Sequence, residues 1–185
     1  MSISDQHSIH RVVITGAPAS GKTDLLLRLQ SEPFCQNIIF LPEIARALLT
    51  ENPDFRQNWS AFHHKVYQLQ ITQENEIKDK SFISDRGTVD AFAFHSDTAA
   101  LFGTTIEKEY QRYDAVFQLG SAANLSQEYY TQDEIRIESV EDALIIEKAI
   151  TSVWKNHPVY QLIPASINIE DKYEKLCQYL KNLFS

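Results

Sequence analysis

Cysteine is scarce in this chain of 185 residues, which carries only two. Cys35 and Cys177 form neither a metal-binding spacing nor a disulfide framework, so each is expected to sit as a small buried hydrophobe in a reducing compartment. Long apolar runs are missing as well. No stretch is long enough to span a bilayer and no secretory signal opens the chain, so the sequence reads as soluble and cytoplasmic. Positive charge is in deficit, with 17 Lys and Arg against 25 Asp and Glu and a net charge of −8. That balance argues against a general nucleic-acid or anionic-membrane surface. No repeat, low-complexity tract or linker divides the chain. With 43% hydrophobic residues, one domain over 1–185 with a core of normal size is expected.

What is present is a regular alternation. Short β-like runs take turns with helical patterns, the mark of an α/β protein with a parallel sheet. Strands are predicted near 11–15, 37–41, 81–85, 113–119 and 158–163. Trp59, Phe62, Val66, Leu69 and Ile77 recur at helical spacing and predict a long amphipathic helix between the second and third strands. A second long helix covers about 140–156, opened by a capping box of Ser139 and Asp142. The last helix is expected from Asn168, with Asp171 three residues on and Leu176, Leu180, Leu183 and Phe184 lying on the sheet. Segment 120–138 is polar, bears tyrosines and is expected to form a mobile flap, a small lid. Right-handed crossovers then gather the carboxyl ends of the strands at one edge.

The densest chemical signal lies at that edge. Val12-Val13-Ile14-Thr15 runs into Gly16-Ala17-Pro18-Ala19-Ser20-Gly21-Lys22-Thr23, and a Leu-rich helix follows, which fits G-x-x-x-x-G-K-[ST] in its proper strand-to-helix setting. Gly16 and Gly21 let the backbone turn tightly and aim N–H groups at phosphate oxygens, and the helix start adds its positive dipole end. Lys22 can reach the β- and γ-phosphates, and the Thr23 hydroxyl is the usual magnesium ligand. Asp24, next in line, is counted with the nucleotide loop and complements the helix amino terminus.

Four further places could carry chemistry. Asp85 ends the third strand beside this loop, placed to hold Mg²⁺ through water, and Arg86 would point at a transferring phosphate. The alternative is that the two cap the next helix and pair on the surface. Pro42 breaks the second strand, and Glu43 and Arg46 then share a helix face. They could bind an acceptor hydroxyl and an anionic neighbour, Glu43 acting as general base, or they could form an ordinary intrahelical ion pair. In the flap, beside Tyr129, Tyr130, Asp133 and Glu134, Arg136 is a candidate lid arginine able to close over a triphosphate, with Arg112 and Arg56 competing for the role. Pro164 and Ala165 follow the last strand, where a loop could lie against the base. His63 and His64, adjacent on the long helix, have no Cys or carboxylate at ligand spacing.

Taken together, Gly16–Thr23, the strand-end Pro42–Arg46, Asp85–Gly87 and the Tyr-x-x-Asp-x-x-Arg run from Tyr130 to Arg136 resemble the small NadR-like kinase domains, a group often labelled AAA-type ATPases. The resemblance spans about residues 10–184. It implies a three-layer αβα P-loop NTPase fold, nucleoside/nucleotide-kinase-like, with a five-stranded parallel sheet in the order 2-3-1-4-5. It also implies ATP-dependent phosphorylation of an acceptor such as nicotinamide riboside. The loop carries Ala19 where glycine is common, a residue small enough to fit.

The leading expectation is therefore ATP- and Mg²⁺-dependent phosphoryl transfer to a small metabolite, a nucleoside or nicotinamide riboside-like compound. A nucleotide-binding switch acting through a partner, and a plain ATPase with water as acceptor, are the competing classes. Gln118-Leu119-Gly120-Ser121 stands where a conventional GTPase would place Asn-Lys-x-Asp, which argues against that class and leaves GTP open beside ATP. A deep pocket beside Glu43 would favour the kinase, and a flat surface there the switch.

Overall fold

A computed structural model describes residues 8–95, 97–125, 127–130 and 139–184. Strand β1, Arg11–Thr15, lies at the middle of a five-stranded sheet, between β3 (Phe82–Asp85) and β4 (Ala115–Leu119). β2 (Ile39–Leu41) and β5 (Tyr160–Ile163) form the edges, giving the order β2-β3-β1-β4-β5 with every pairing parallel. A sheet covered on both faces needs apolar residues on both, which is why β1, β3 and β4 read as nearly continuous hydrophobic runs. Side chains alternate across the pleat. Val12 and Ile14 pack with Leu25 and Leu29 of α1 (Lys22–Leu29) and Leu176 and Leu180 of α8 (Ile169–Phe184). Val13 faces the other way, toward Ile150 and Trp154 of α7 (Val140–Trp154).

Between β2 and β3 run α2 (Ile44–Glu51) and α3 (Trp59–Glu76), and three one-turn helices, α4 (Asp90–Phe94), α5 (Thr98–Phe102) and α6 (Ile106–Tyr110), join β3 to β4. The capping box of α7 is formed: Ser139 Oγ accepts from Asp142 N at 3.1 Å and Ser139 N donates to Asp142 Oδ2 at 3.2 Å. Asn168 sits just ahead of α8, its Oδ1 accepting from Glu170 N at 3.0 Å.

Three sequence expectations shift. β2, β4 and β5 begin two residues later than predicted, although Asp114 N still donates to Arg11 O and Val159 O still accepts from Val116 N at the strand ends. The stripe assigned to α3 is only partly its buried face: Phe62 is buried and Val66, Leu69 and Ile77 are half-buried, but Trp59 is 50% exposed, and Tyr67, Gln70 and Glu74, outside the stripe, are buried as well. Gln70 and Glu74 tolerate burial because each is hydrogen-bonded. The predicted flap is packed where it begins, with Tyr130 buried against Ala123 and Ala143, and residues 131–138 lie outside the described residues. Among the described residues no helix is long and apolar enough to cross a membrane.

Candidate active site

Each carbonyl of the loop from Gly16 to Gly21 is fastened by a hydrogen bond, those of Pro18, Ala19 and Ser20 by groups outside the loop. Gly16 O accepts from Lys22 Nζ at 2.9 Å, Ala17 O from Ser20 N at 3.3 Å, Ala19 O from Ala122 N at 2.9 Å and Gly21 O from Leu25 N at 3.1 Å. Pro18 O accepts from Ser121 Oγ at 2.5 Å, and Ser20 O from Lys172 Nζ at 2.5 Å. Peptide units whose carbonyls face away present their N–H groups to the concave side, the arrangement that binds anions. The first amides of α1 have no intrahelical acceptor, and no side chain caps that helix. Gly16 has no substitute here: a Cβ would lie 2.5 Å from Leu119 O, at a φ of +152°. Ala19 does occupy the left-handed region, with φ 58°, so the alanine that replaces a common glycine is accommodated at some backbone cost.

Beside the loop, the ends of β2 and β3 deliver a tight charge cluster. Arg86 also has a positive φ, 74°, and its backbone N donates to Ile14 O at 3.0 Å. The unusual backbone aims the guanidinium back across the strand ends, where Nε donates to Glu43 Oε1 at 3.2 Å and Nη1 lies 3.9 Å from Asp90 Oδ1. Glu43 is the residue before the first turn of α2 and pairs more closely with Arg86 than with the exposed Arg46, whose Nε is 3.8 Å away. The intrahelical pair that the sequence allowed is thus the weaker contact. Burial by itself would push the Glu43 carboxyl upward, but Arg86 and Lys22 beside it hold it below the ordinary value. Asp85 is driven the other way, raised chiefly by burial. Burial also lowers Lys22, and Arg86 adds to that shift.

Two polar atoms in this cluster, Asp85 Oδ1 and Arg86 Nη1, are buried without a hydrogen-bond partner. Orphaned atoms of opposite charge at the mouth of an anion-binding loop fit a cation and a phosphate. Among the described residues no group of three His, Cys, Asp or Glu could hold a metal by itself. Thr23, exposed at the start of α1, and Asp85 are instead a donor pair suited to a magnesium ion that keeps most of its ligands as water and phosphate.

A cleft of about 480 Å³ opens from this point between α1 and α2. Thr23, Asp85, Glu43 and Arg46 border it, and Leu26, Leu27, Phe40 and Ala47 contribute apolar wall. On the far side of the loop, Pro164 and Ala165 abut Gly120, where a Cβ would meet Ala165 N at 2.5 Å. Asp24 is exposed in the first turn of α1. Arg136 lies outside the described residues. Of its two competitors, Arg112 is committed elsewhere, bonded to Glu74 Oε2 at 2.7 Å, and Arg56 is exposed on a turn after α2.

Two residues of the site have no sequence motif to announce them. Asp90 accepts from Thr15 Oγ1 at 2.6 Å and from Gly87 N at 2.8 Å, bracing the turn that presents Arg86. Lys172, buried on α8, reaches the phosphate loop from some 150 residues away in sequence. A charged residue at an otherwise apolar helical position was the only available hint.

Comparison with known proteins places this geometry. A family model described as AAA domain matches residues 11–172. No curated protein matches the chain. Among solved structures, deoxyadenosine kinase from M. mycoides with bound dATP is similar at a TM-score of 0.65 and 14% identity, covering 93% of this chain and 99% of that one. Shikimate kinase from Acinetobacter baumannii in complex with shikimate gives 0.63 at 12% identity, with 95% of each chain covered. At such identities the likeness shows a shared kinase-like P-loop fold.

Proposed function

The chain belongs to the AAA domain family, and on that premise we propose that it is an ATP- and Mg²⁺-dependent phosphotransferase acting on a hydroxyl of a small metabolite, a nucleoside or nicotinamide riboside-like compound. The observation that carries this reading is the cleft itself. A hydrolase or switch needs no acceptor chamber, whereas here about 480 Å³ of space adjoins the phosphate loop with Glu43 on its border, within the size range of small-ligand sites.

In this reading the amides of Gly16–Thr23 and the Lys22 ammonium hold the triphosphate, Lys22 leaving Gly16 O to do so. Thr23 and Asp85 would hold Mg²⁺, which when bound neutralises charge on the phosphate oxygens. Pro164 and Ala165 flank the base. Arg86 faces the migrating phosphoryl group, Arg46 steadies the acceptor, and Arg136 closes over the site as a lid residue. Glu43 orients the attacking hydroxyl. A new bond forms from that oxygen to the γ-phosphorus as the bond to the β,γ-bridging oxygen breaks, ADP departs, and the hydroxyl proton passes to Glu43. Phosphoryl transfer through a loose transition state asks the protein mainly for positioning and charge, which is what this cluster supplies.

The test is an ADP-release assay with MgATP against nucleosides, nicotinamide riboside and related cofactor precursors. Stimulation well above the rate with water is the expected result. If every acceptor leaves the rate at the water background while MgATP binds, the chain is a switch or slow ATPase and the reading fails.

A further inference from the structure

Lys172, on α8, fastens the phosphate loop to the rest of the fold. Its Nζ donates to Ser20 O at 2.5 Å and to Gly120 O at 2.8 Å, and the residue is 5% exposed. The first acceptor belongs to the loop itself. The second belongs to the segment that leaves β4 and abuts Pro164 and Ala165. A buried ammonium bonded to carbonyl oxygens is costly to keep, and a methionine or leucine would fill the same volume on α8. Burial draws its pKa down to about 8, with Glu147 of α7 opposing the shift and Lys22 adding to it, so it still carries its charge at neutral pH.

We propose that Lys172 is a positioning residue of the nucleotide site, a second lysine that acts on the triphosphate through the Ser20–Gly21 peptide. Two effects follow from the geometry. Fastening Ser20 O outward fixes the plane of that peptide, so the Gly21 N–H stays aimed at the concave side. A carbonyl that accepts from an ammonium is also polarised, and the amide of the same peptide unit becomes a stronger donor. By holding Gly120 as well, the same ammonium ties the phosphate side of the site to the base side. This inference rests on the reading of Gly16–Thr23 as a nucleotide loop.

The test compares Lys172→Gln, Lys172→Met and Lys172→Arg, with MgATP and MgADP affinity measured by calorimetry beside thermal melting and steady-state kinetics. Wild-type protein that binds neither nucleotide overturns the nucleotide reading itself. Given wild-type binding, Lys172→Gln, which can donate but carries no charge, is expected to weaken MgATP by about tenfold. It should raise KM for ATP far more than it lowers kcat, and Lys172→Arg should recover most of the loss. Folded Gln or Met variants that bind MgATP as tightly as wild type would reduce Lys172 to a packing element and overturn the proposal. If both neutral variants fail to fold, Lys172→Arg decides: affinity within threefold of wild type supports the role, and a folded Arg variant tenfold weaker overturns it.

Discussion

Arg86 Nε sits 3.2 Å from Glu43 Oε1, joining the end of β3 to the start of α2, with Glu43 on the border of the cleft. The pair sets the charge state of the candidate base. Burial raises Glu43, yet Arg86 and Lys22 bring it below its ordinary range. A carboxylate held that low is a weak base, so its value lies in orienting the hydroxyl and taking the proton late.

The pH dependence follows with a definite sign. A depressed carboxyl is fully ionised above the ordinary value of about 4.3 and loses its charge only as pH falls through the lower folded value. The step of the acid limb that belongs to Glu43 is therefore expected below the usual carboxylate range, apart from that of Asp85, which burial raises. Replacing Arg86 by Gln leaves burial less opposed, and the limb should move to higher pH even though the rate drops. A pH–rate profile whose acid limb is unmoved in Arg86→Gln would show that Glu43 does not govern it.

Lys22 and Glu43 should separate binding from transfer. Lys22 is the loop's own cation, 2.9 Å from Gly16 O, and Lys22→Ala is expected to cost about 1.5–3 kcal/mol of nucleotide affinity, the worth of a charged hydrogen bond. Glu43→Gln keeps the shape of the cleft and should retain MgATP affinity while transfer falls by about a hundredfold or more. Calorimetry for binding and an acceptor-dependent ADP assay for turnover distinguish the two. Equal transfer rates for wild type and Glu43→Gln would remove the base from Glu43.

These assignments were legible in the sequence to different depths, for physical reasons. The phosphate loop, Asp85-Arg86-Gly87 and Glu43 could be found because each is a short run at a strand end, where backbone geometry and chemistry coincide. The buried polar residues of α3 could not. Gln70 and Glu74 are buried only because Ser84, Tyr113 and Arg112, far along the chain, supply hydrogen bonds, and periodicity counts such residues as solvent-facing. Arg112 was mistaken for a lid candidate for the same reason. Asp90 is a first-turn acid of α4, and only the donors Thr15 Oγ1 and Gly87 N, brought to it by the fold, mark it as part of the site.

Asp90 should prove a stability residue as much as a site residue. Its carboxylate is 4% exposed and holds Thr15 Oγ1 and Gly87 N, with Arg86 beside it. Removing one partner of a buried charged cluster typically costs about 3–5 kcal/mol, because the remaining charge is left uncompensated. Asp90→Ala is expected in that range by urea unfolding, and Asp90→Asn, which keeps one acceptor, should lose less. A midpoint unchanged from wild type in Asp90→Ala would mean that water replaces the carboxylate at no cost.

Gly120 tests the join between the two halves of the nucleotide site. A Cβ there would stand 2.5 Å from Ala165 N and 3.0 Å from Pro164 C, both backbone atoms that cannot turn aside as a side chain can. Gly120→Ala should therefore push the Pro164–Ala165 loop away from the end of β4. If that loop contacts the base, ATP affinity falls by about tenfold while inorganic triphosphate, which has no base, binds as before. Equal losses for both ligands would place the base elsewhere.

Filling the cleft separates a kinase from a hydrolase. Ala47 lies exposed on α2 and lines the chamber, so Ala47→Trp can be introduced without disturbing the core. Water, a far smaller acceptor, still reaches the phosphate loop past an indole, but a metabolite of nucleoside size does not. In a phosphotransferase, acceptor-stimulated ADP release should fall by at least about tenfold in kcat/KM while the slow rate with water and the MgATP affinity stay within twofold. An enzyme whose natural acceptor is water would show no difference between Ala47→Trp and wild type. An acceptor bound on another face would leave the stimulated rate intact in the variant, and the chamber between α1 and α2 would then have no part in transfer.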